Sequence, residues 1–462
     1  MKKHIILSLV LLTFNQLLAQ QSELEIRGFM DYLRVVEAHH PVAGQAYLLD
    51  EESTVMQLKA RGNLDPQVDA RVEQKFFKDD NYFRFIEGDI RVPTRYGLEF
   101  NAGYDLNDGV NLNPADLLPS SGLVHVGIRL DVLRGMIYNE RRAALDQARL
   151  FRTANALEKE VMLNELYASA AVTYVDWLVA REKLDIAEQY VDYANELFEG
   201  TLELYKIGDG RAIDTLEAGV GLDNRINQRA EFLALEFEKN MMVSAFLWDE
   251  DGLPAKMKSV GPPVEDDLLL QFYDSLSVAM SNAIRSHPDL LALTNKGEML
   301  KVEQRLLKEE LKPRLSLQYN PFIYQWDERA FNDYKWRAGF SMPMFFREAR
   351  ADIQLNTIKS QQVRLQQRNL ETRLNNRSQA MIREIELLEQ QLTTQKSIVI
   401  ASEKLANAER SQYLIGESTI FLVNQREQKW FAQRMKAIEL KGKLVKKRIE
   451  IMALLNALPG IV

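Results

Sequence analysis

The chain has 462 residues, a net charge of −8 and 46% hydrophobic residues, with 5 His and no Cys. That length suits two or three domains or one large repeated architecture, and the mild acidity leaves no electrostatic footprint for nucleic acid. Without Cys there is no disulfide scaffold, thiolate zinc site, Cys nucleophile or lipidated N-terminal Cys.

The opening residues, MKKHIILSLVLLTFNQLLAQ, place Lys2 and Lys3 before an apolar run from Ile5 to Leu12. This reads as a secretory signal over residues 1–20, with cleavage near Ala19-Gln20, and it is set apart from the fold. No later stretch offers about 18 uninterrupted apolar residues. The exported protein is therefore soluble or peripheral, unless it crosses a membrane as strands.

Beyond the signal, the chain is organised by internal repetition. AHHPVA (38–43) resembles RSHPDL (285–290), and NLDPQVDA (63–70) resembles ELKPRLSL (310–317); Pro41 against Pro288 and Pro66 against Pro313 share an offset of 247. NERRA (139–143) against REARA (347–351) has an offset of 208, as does Tyr-x-Ile-Gly at Tyr205–Gly208 against Tyr413–Gly416. Two constant offsets indicate a duplication with 39 extra residues in the first copy, between Pro66 and Glu140.

Each copy opens with a helical stretch that ends before Leu-x-Pro, where Pro removes an N–H donor and disfavours helix in the residue before it. A β-like region comes after it. In copy one it covers 66–133, with YGLEFNAGY (96–104) and GLVHVGIRLDV (122–132); in copy two a hairpin covers 313–345. Aromatic residues concentrate there: Tyr96, Phe100 and Tyr104, then Phe322, Tyr324, Trp326, Tyr334, Trp336 and Phe340. They suit either ordinary strands or the aromatic girdles of a membrane barrel. The extra segment of copy one contains a further candidate strand, NYFRFIEGDIRVP (81–93). Four strands per chain are expected, with the insert as loop or edge structure; six is the alternative.

A long helix comes next in each copy. Leu163, Leu166, Ala170, Thr173, Trp177, Ala180, Leu184, Ala187, Val191, Ala194 and Phe198 keep a 3/4 spacing, the mark of a coiled-coil seam. A second stripe runs through Ile385, Leu388, Leu392, Val399 and Ala406, with Gln395 and Ser402 as polar interruptions. The helix then meets Tyr-x-Ile-Gly and the apolar pattern resumes beyond it. Gly ends the first helix there, so each motif marks the tip of a helical hairpin.

The resulting division is a first repeat at 21–247 with its tip near 205–211, a Gly/Pro/acidic linker at 248–282, and a second repeat at 283–462 with its tip near 413–419. Other chemistry candidates carry little. His39, His40 and His287 precede Pro at helix boundaries and lack metal-site spacing. Asp79-Asp80, Asp249–Asp251 and Glu265–Asp267 read as solvated loops, and Met342 and Met344 as packing. No phosphate loop, nucleophile elbow or Cys/His pair is present, so neither an enzyme nor a cofactor is expected.

The paired HHP and SHP, the two Leu-x-Pro starts, SMPMFFREARA (341–351) and the tip YKIGDGRAIDTLEA together resemble the TolC-like outer-membrane efflux proteins, over roughly Leu24 to the C-terminus. The family's pattern is incomplete: Gly135 stands where copy two has Pro343, and Leu422 where copy one has Asp214. The resemblance implies a mainly α fold with membrane β: a homotrimer pooling its strands into one β-barrel, continued by an α-helical periplasmic barrel. It implies an outer-membrane location with a long periplasmic extension, contact with outer-membrane lipid, and a role in tripartite efflux or type I secretion beside a periplasmic adaptor and an inner-membrane pump. The docking tips would then be Tyr205, Ile207, Gly208, Asp214, Tyr413, Ile415 and Gly416, and Arg211 with Asp214 a candidate gate. The alternative is a periplasmic coiled-coil or adaptor protein without a pore.

Overall fold

The computed structural model describes residues 23–259, 284–323 and 333–458. The stretch expected to be a signal (1–20), most of the expected linker (260–282), and the girdle candidates Tyr324 and Trp326 lie outside the described residues. In chain order the elements are β1 (Glu23–Ile26), α1 (Phe29–His39), α2 (Pro41–Gly62), β2 (Gln67–Phe77), β3 (Asp80–Pro93), β4 (Leu98–Asp108) and β5 (Leu123–Asp131). Next come α3 (Glu140–Lys206), α4 (Ala212–Ser244), β6 (Lys256–Ser259), α5 (Pro288–Glu309), β7 (Arg314–Ile323), β8 (Tyr334–Ser341), α6 (Arg347–Leu414) and α7 (Ile420–Leu454). The chain forms two units, one of residues 1–47, 158–288 and 370–462, the other of residues 48–157 and 289–369.

The first unit is helical. Phe29, Tyr32, Leu33 and Val36 occupy one face of α1 at helical spacing and are buried. They meet α3, where Tyr32 stacks on Tyr174 with ring centroids 5.1 Å apart. Ala170, Ala171, Ala180 and Ala187 of α3 are almost wholly buried, and their short side chains let neighbouring helices approach closely. The stripe continues on α6 through the buried Ile385, Leu388 and Ala406. Its polar interruption Gln395 is also buried, and donates to the backbone oxygen and to Oε1 of Gln433 at 3.1 and 2.9 Å. A buried amide is tolerable when it is bonded in this way. β1 and β6 add a small parallel pair beside this core.

The second unit carries the sheet. Both helices that lead into it stop just before Pro66 and Pro313, as the Leu-x-Pro pattern requires. The sheet has six strands in the order β2-β3-β4-β5-β7-β8, every neighbouring pair antiparallel. The expected four strands are therefore corrected to six. β2 follows the helix that enters the first β region, and β5 precedes the helix that leaves it. β4 and β5 hold the two strands expected in copy one, 96–104 and 122–132, so β2 and β3 are the additional pair, at one end of the sheet. In sequence β2 is inconspicuous because its apolar face is carried only by the small aliphatic residues Val68, Ala70 and Val72, set between charged ones. A backbone ladder along their whole length joins β2 to β3, and ion pairs cross it: Arg91 with Asp69, and Arg71 with Glu87 at 3.9 Å.

Candidate functional site

The strand register fixes which residues share a face, because successive side chains alternate. Val68, Ala70 and Val72 of β2 fall on one face with Ile86, Ile90 and Val92 of β3. Leu98, Phe100, Ala102, Tyr104 and Leu106 of β4 continue it, followed by Val124, Val126, Ile128 and Leu130 of β5. Leu317 and Tyr319 of β7, and Tyr334, Trp336, Ala338 and Phe340 of β8, complete it. This face is exposed: Val72 retains 70% of its accessible surface, Trp336 67% and Phe340 66%. From Leu98 to Leu106 it runs about 27 Å along the strand at ~3.4 Å per residue. That is the order of the ~25 Å apolar band of a membrane barrel. Beyond it, at the end away from the helices, Arg84 pairs with Asp108 at 3.1 Å on the same face, closing the band with charge.

The opposite face is mainly polar, with Phe83, Phe85, Leu123 and Phe322 as its apolar exceptions. It carries Asp69, Arg71, Glu73 and Lys75 of β2, Glu87, Asp89 and Arg91 of β3, Asn101 and Asp105 of β4, Gln318 of β7, and Lys335 and Arg337 of β8. At its centre Asp89, Gly103 and His125 lie on one rung. With no side chain at Gly103, the imidazole reaches over it to Asp89, Nε2 to Oδ1 at 3.1 Å, while Nδ1 lies 3.4 Å from Asp105 Oδ2. A Cβ at Gly103 would meet His125 Cε1 at 2.6 Å and the Gly88 carbonyl at 2.7 Å. At the helix-side end an open cleft of about 370 Å³ is lined by Arg91, Glu99, Arg129, Arg141, Glu310 and Arg314, among others. Its charges are matched: Arg141 pairs with Glu99, and Arg134 with Glu310 at 3.3 Å.

The helical unit carries the two tips. Gly208 has φ 85° and Gly416 φ 80°, the left-handed region where Gly alone is unstrained. At the first tip the N–H groups of Gly208 and Asp209 donate to the carbonyls of Tyr205 and Leu204; at the second, those of Gly416 and Glu417 donate to Tyr413 and Gln412. Both are Schellman ends. The tips expose Tyr205, Ile207, Ile213 and Leu216, and then Leu414, Ile415 and Phe421. Links run between the hairpins: Thr201 Oγ1 lies 3.4 Å from the Tyr413 hydroxyl, Asn424 donates to the Glu217 carbonyl at 3.3 Å, and Arg410 pairs with Glu196 at 3.5 Å. Arg211 and Asp214 pair with each other across one helical turn at 3.2 Å.

Of the aromatic candidates, Phe100, Tyr104, Tyr334, Trp336 and Phe340 lie on the apolar face, and Tyr96 is exposed in the turn before β4. Phe322 is opposite His125 and so shares the polar face. It does not belong with the apolar set, because a shift of one residue along a strand reverses the face. Among the described residues no group of three or more His, Asp or Glu side chains is arranged to hold a metal ion, and no helix is long and apolar enough to cross a membrane.

The family model for outer membrane efflux protein matches residues 279–457. No curated protein sequence matches the chain. Among solved structures, the CmeC outer membrane channel of Campylobacter jejuni superposes with a TM-score of 0.64 at 10% identity, over 93% of this chain and 85% of that one. The outer membrane protein VceC of Vibrio cholerae gives 0.64 at 10% identity, over 93% and 96%. The MtrE outer membrane channel of Neisseria gonorrhoeae, in its open state, gives 0.65 at 11% identity, over 93% and 89%. The chain has the fold of the TolC-like outer-membrane efflux channels. Residues 279–457 carry that family's sequence pattern as well.

Two features of the sheet are hidden in the sequence. The His125 cluster joins Asp89, Asp105 and His125, far apart in the chain, and only the strand register brings them together. The apolar face is obscured in β2, where three aliphatic residues alternate with Asp69, Arg71 and Glu73. A period-two count restricted to Val68, Ala70 and Val72 would have found it.

Proposed function

We propose that this protein is the outer-membrane exit duct of an efflux or type I secretion system, receiving substrate from a periplasmic adaptor and an inner-membrane pump. The observation that carries this reading is the sheet with one exposed apolar face and one charged face, in a chain with an efflux-channel fold. A bilayer accepts strands only when every backbone group is paired, so six strands must be closed by further copies. A homotrimer does this with cyclic symmetry, the apolar faces outward to lipid and the charged faces lining a lumen. The chain is read as two copies, 21–247 and 283–462, each contributing strands and one helical hairpin. The hairpins would extend into the periplasm, where the exposed apolar residues about Gly208 and Gly416 form the adaptor-docking ends. Arg211 and Asp214 are proposed to hold the tip closed. A non-pore periplasmic protein would leave the apolar face without a solvent that suits it.

Fractionation decides between the readings. A heat-modifiable oligomer extracted from outer membranes by detergent supports the duct, whereas a monomer released by osmotic shock refutes it. For the tips, Gly208→Val together with Gly416→Val places a β-branched residue at positive φ, at about 1–2 kcal/mol each. The oligomer should still assemble while efflux in a sensitised strain falls. Undiminished efflux would remove the tips from docking.

A further inference from the structure

We infer that each protomer contributes all six strands to the membrane barrel, so that β2 of one copy pairs with β8 of the next and three copies close a barrel of eighteen strands. The inference rests on the duct reading and adds to it the partner surface and the size of the pore.

Three observations carry it. First, β2 and β8 are the two ends of the sheet, so among the described residues each has one edge without a strand neighbour. An open edge in lipid leaves a row of N–H and C=O groups unpaired, at several kcal/mol for each group. Second, the additional strands have the dimensions and pattern of membrane strands. β2 has 11 residues and β3 has 14, against the roughly 9–11 needed to cross a bilayer. Val68, Ala70, Val72, Ile86, Ile90 and Val92 extend the apolar face across both, and their alternate residues extend the charged one. Third, the edge of β4 is not available for closure. Residues 99–108 of β4 are paired with residues 84–93 of β3 in continuous register. A four-stranded contribution would have to break that ladder.

Direction fits too. Successive strands of the sheet alternate, so β2 and β8 run oppositely, and β2 beside β8 of a second copy keeps the whole ring antiparallel. Such a contact is head-to-tail and closes under rotation. Barrel diameter grows about linearly with strand number. Eighteen strands in place of twelve therefore widen the cross-section about twofold, to the size class that leaves an aqueous channel.

The absence of Cys makes the test direct. In the full-length protein in outer membranes, Cys pairs are introduced on the charged face, Arg71→Cys or Glu73→Cys in β2 with Lys335→Cys or Arg337→Cys in β8, and oxidised. At least one pairing is expected to shift the denatured monomer band to covalent dimers and trimers on non-reducing gels, reversed by thiol. A comparison set pairs Asn101→Cys or Asp105→Cys of β4 with the same β8 positions. Cross-linking from β4 and none from β2 would overturn the six-strand contribution while leaving the duct in place. If the unmodified protein forms no membrane oligomer, the duct reading fails and this inference with it.

Discussion

The first half of the chain carries four strands between its helices and the second carries two. Otherwise α2, the strands, α3 and α4 follow the same order as α5, the strands, α6 and α7. The longer β region carries charged contacts across its strands: Arg91–Asp69, Arg71–Glu87, and His125 between Asp89 and Asp105. The shorter is held by aromatic packing, with Tyr319 and Tyr334 5.5 Å apart and Trp336 opposite Tyr319. In the proposed barrel, added strands line the lumen as well as face lipid, and β2 and β3 have a face for each: paired charges on one and aliphatic residues on the other.

The largest expected effect tests whether the added strands share the bilayer. Arg at Val126 in β5 or Ala338 in β8 should cost about 2–4 kcal/mol near the midplane. Val72→Arg in β2 should cost as much, whereas Gln318→Arg on the charged face should cost little. The readout is the fraction of heat-modifiable oligomer and its urea midpoint. If Val72→Arg is tolerated while Val126→Arg is not, the two β regions differ in environment as well as in number.

A smaller effect separates the two kinds of packing. Gly103→Ala forces a Cβ between Asp89 and His125, and overpacking of this sort costs about 1–3 kcal/mol. Gly339→Ala in the second region meets only the Ser316 hydroxyl, at 3.0 Å, which can rotate away, so it should cost less. Equal losses in thermal denaturation of the two variants would show that the His125 rung is no tighter than its surroundings.

These contrasts mark what the sequence could express. Helices, tips and the Pro-bounded starts of β2 and β7 depend on residues close in sequence: Gly208 and Gly416, Pro66 and Pro313, the Ala-rich seam. Those were legible. The number of strands was not, because β2 offers only the small aliphatic residues Val68, Ala70 and Val72 between its charges and its partners come from β3. The face taken by Phe322 was not legible either, since a shift of one residue reverses it. The His125 cluster needs β3, β4 and β5 in register before it exists.

The helical halves differ as well, and here the effect is in pH. Arg225 lies over the rings of Tyr190 and Phe431, 5.5 Å from each, with Gln433 at the repeat-equivalent place in the second half. Burial pulls the Arg225 guanidinium below its usual value and pushes the nearby Glu427 carboxyl above its own, while Arg410 and Arg225 oppose the latter shift. A raised carboxyl binds its proton more readily in the folded state. The penalty for charging it is therefore absent below the ordinary carboxylate value and complete above the raised one. Stability should fall as pH rises through that window, and Glu427→Gln should flatten the profile. An unaltered profile in chemical denaturation would assign the slope elsewhere.

The smallest expected effect on stability bears on the two tips. Arg211 and Asp214 in the first half are replaced by Thr419 and Leu422 in the second. Thr419 caps α7, its side chain accepting from the Leu422 N–H, whereas Arg211 at the start of α4 has no such cap and is held to Asp214 by charge. An exposed pair of this kind contributes about 0–1 kcal/mol. A Thr cap contributes about as much. The double variant Arg211→Thr and Asp214→Leu, which gives the first tip the residues of the second, should therefore leave thermal stability nearly unchanged. That near-cancellation isolates gating. If the pair also holds neighbouring hairpins together in the closed oligomer, the variant will raise single-channel conductance or open probability in planar bilayers with no loss of assembly. A trace identical to that of the unmodified protein would confine Arg211 and Asp214 to starting α4, and the closing contacts would then be sought among the links between hairpins, Arg410–Glu196 and Thr201–Tyr413 first.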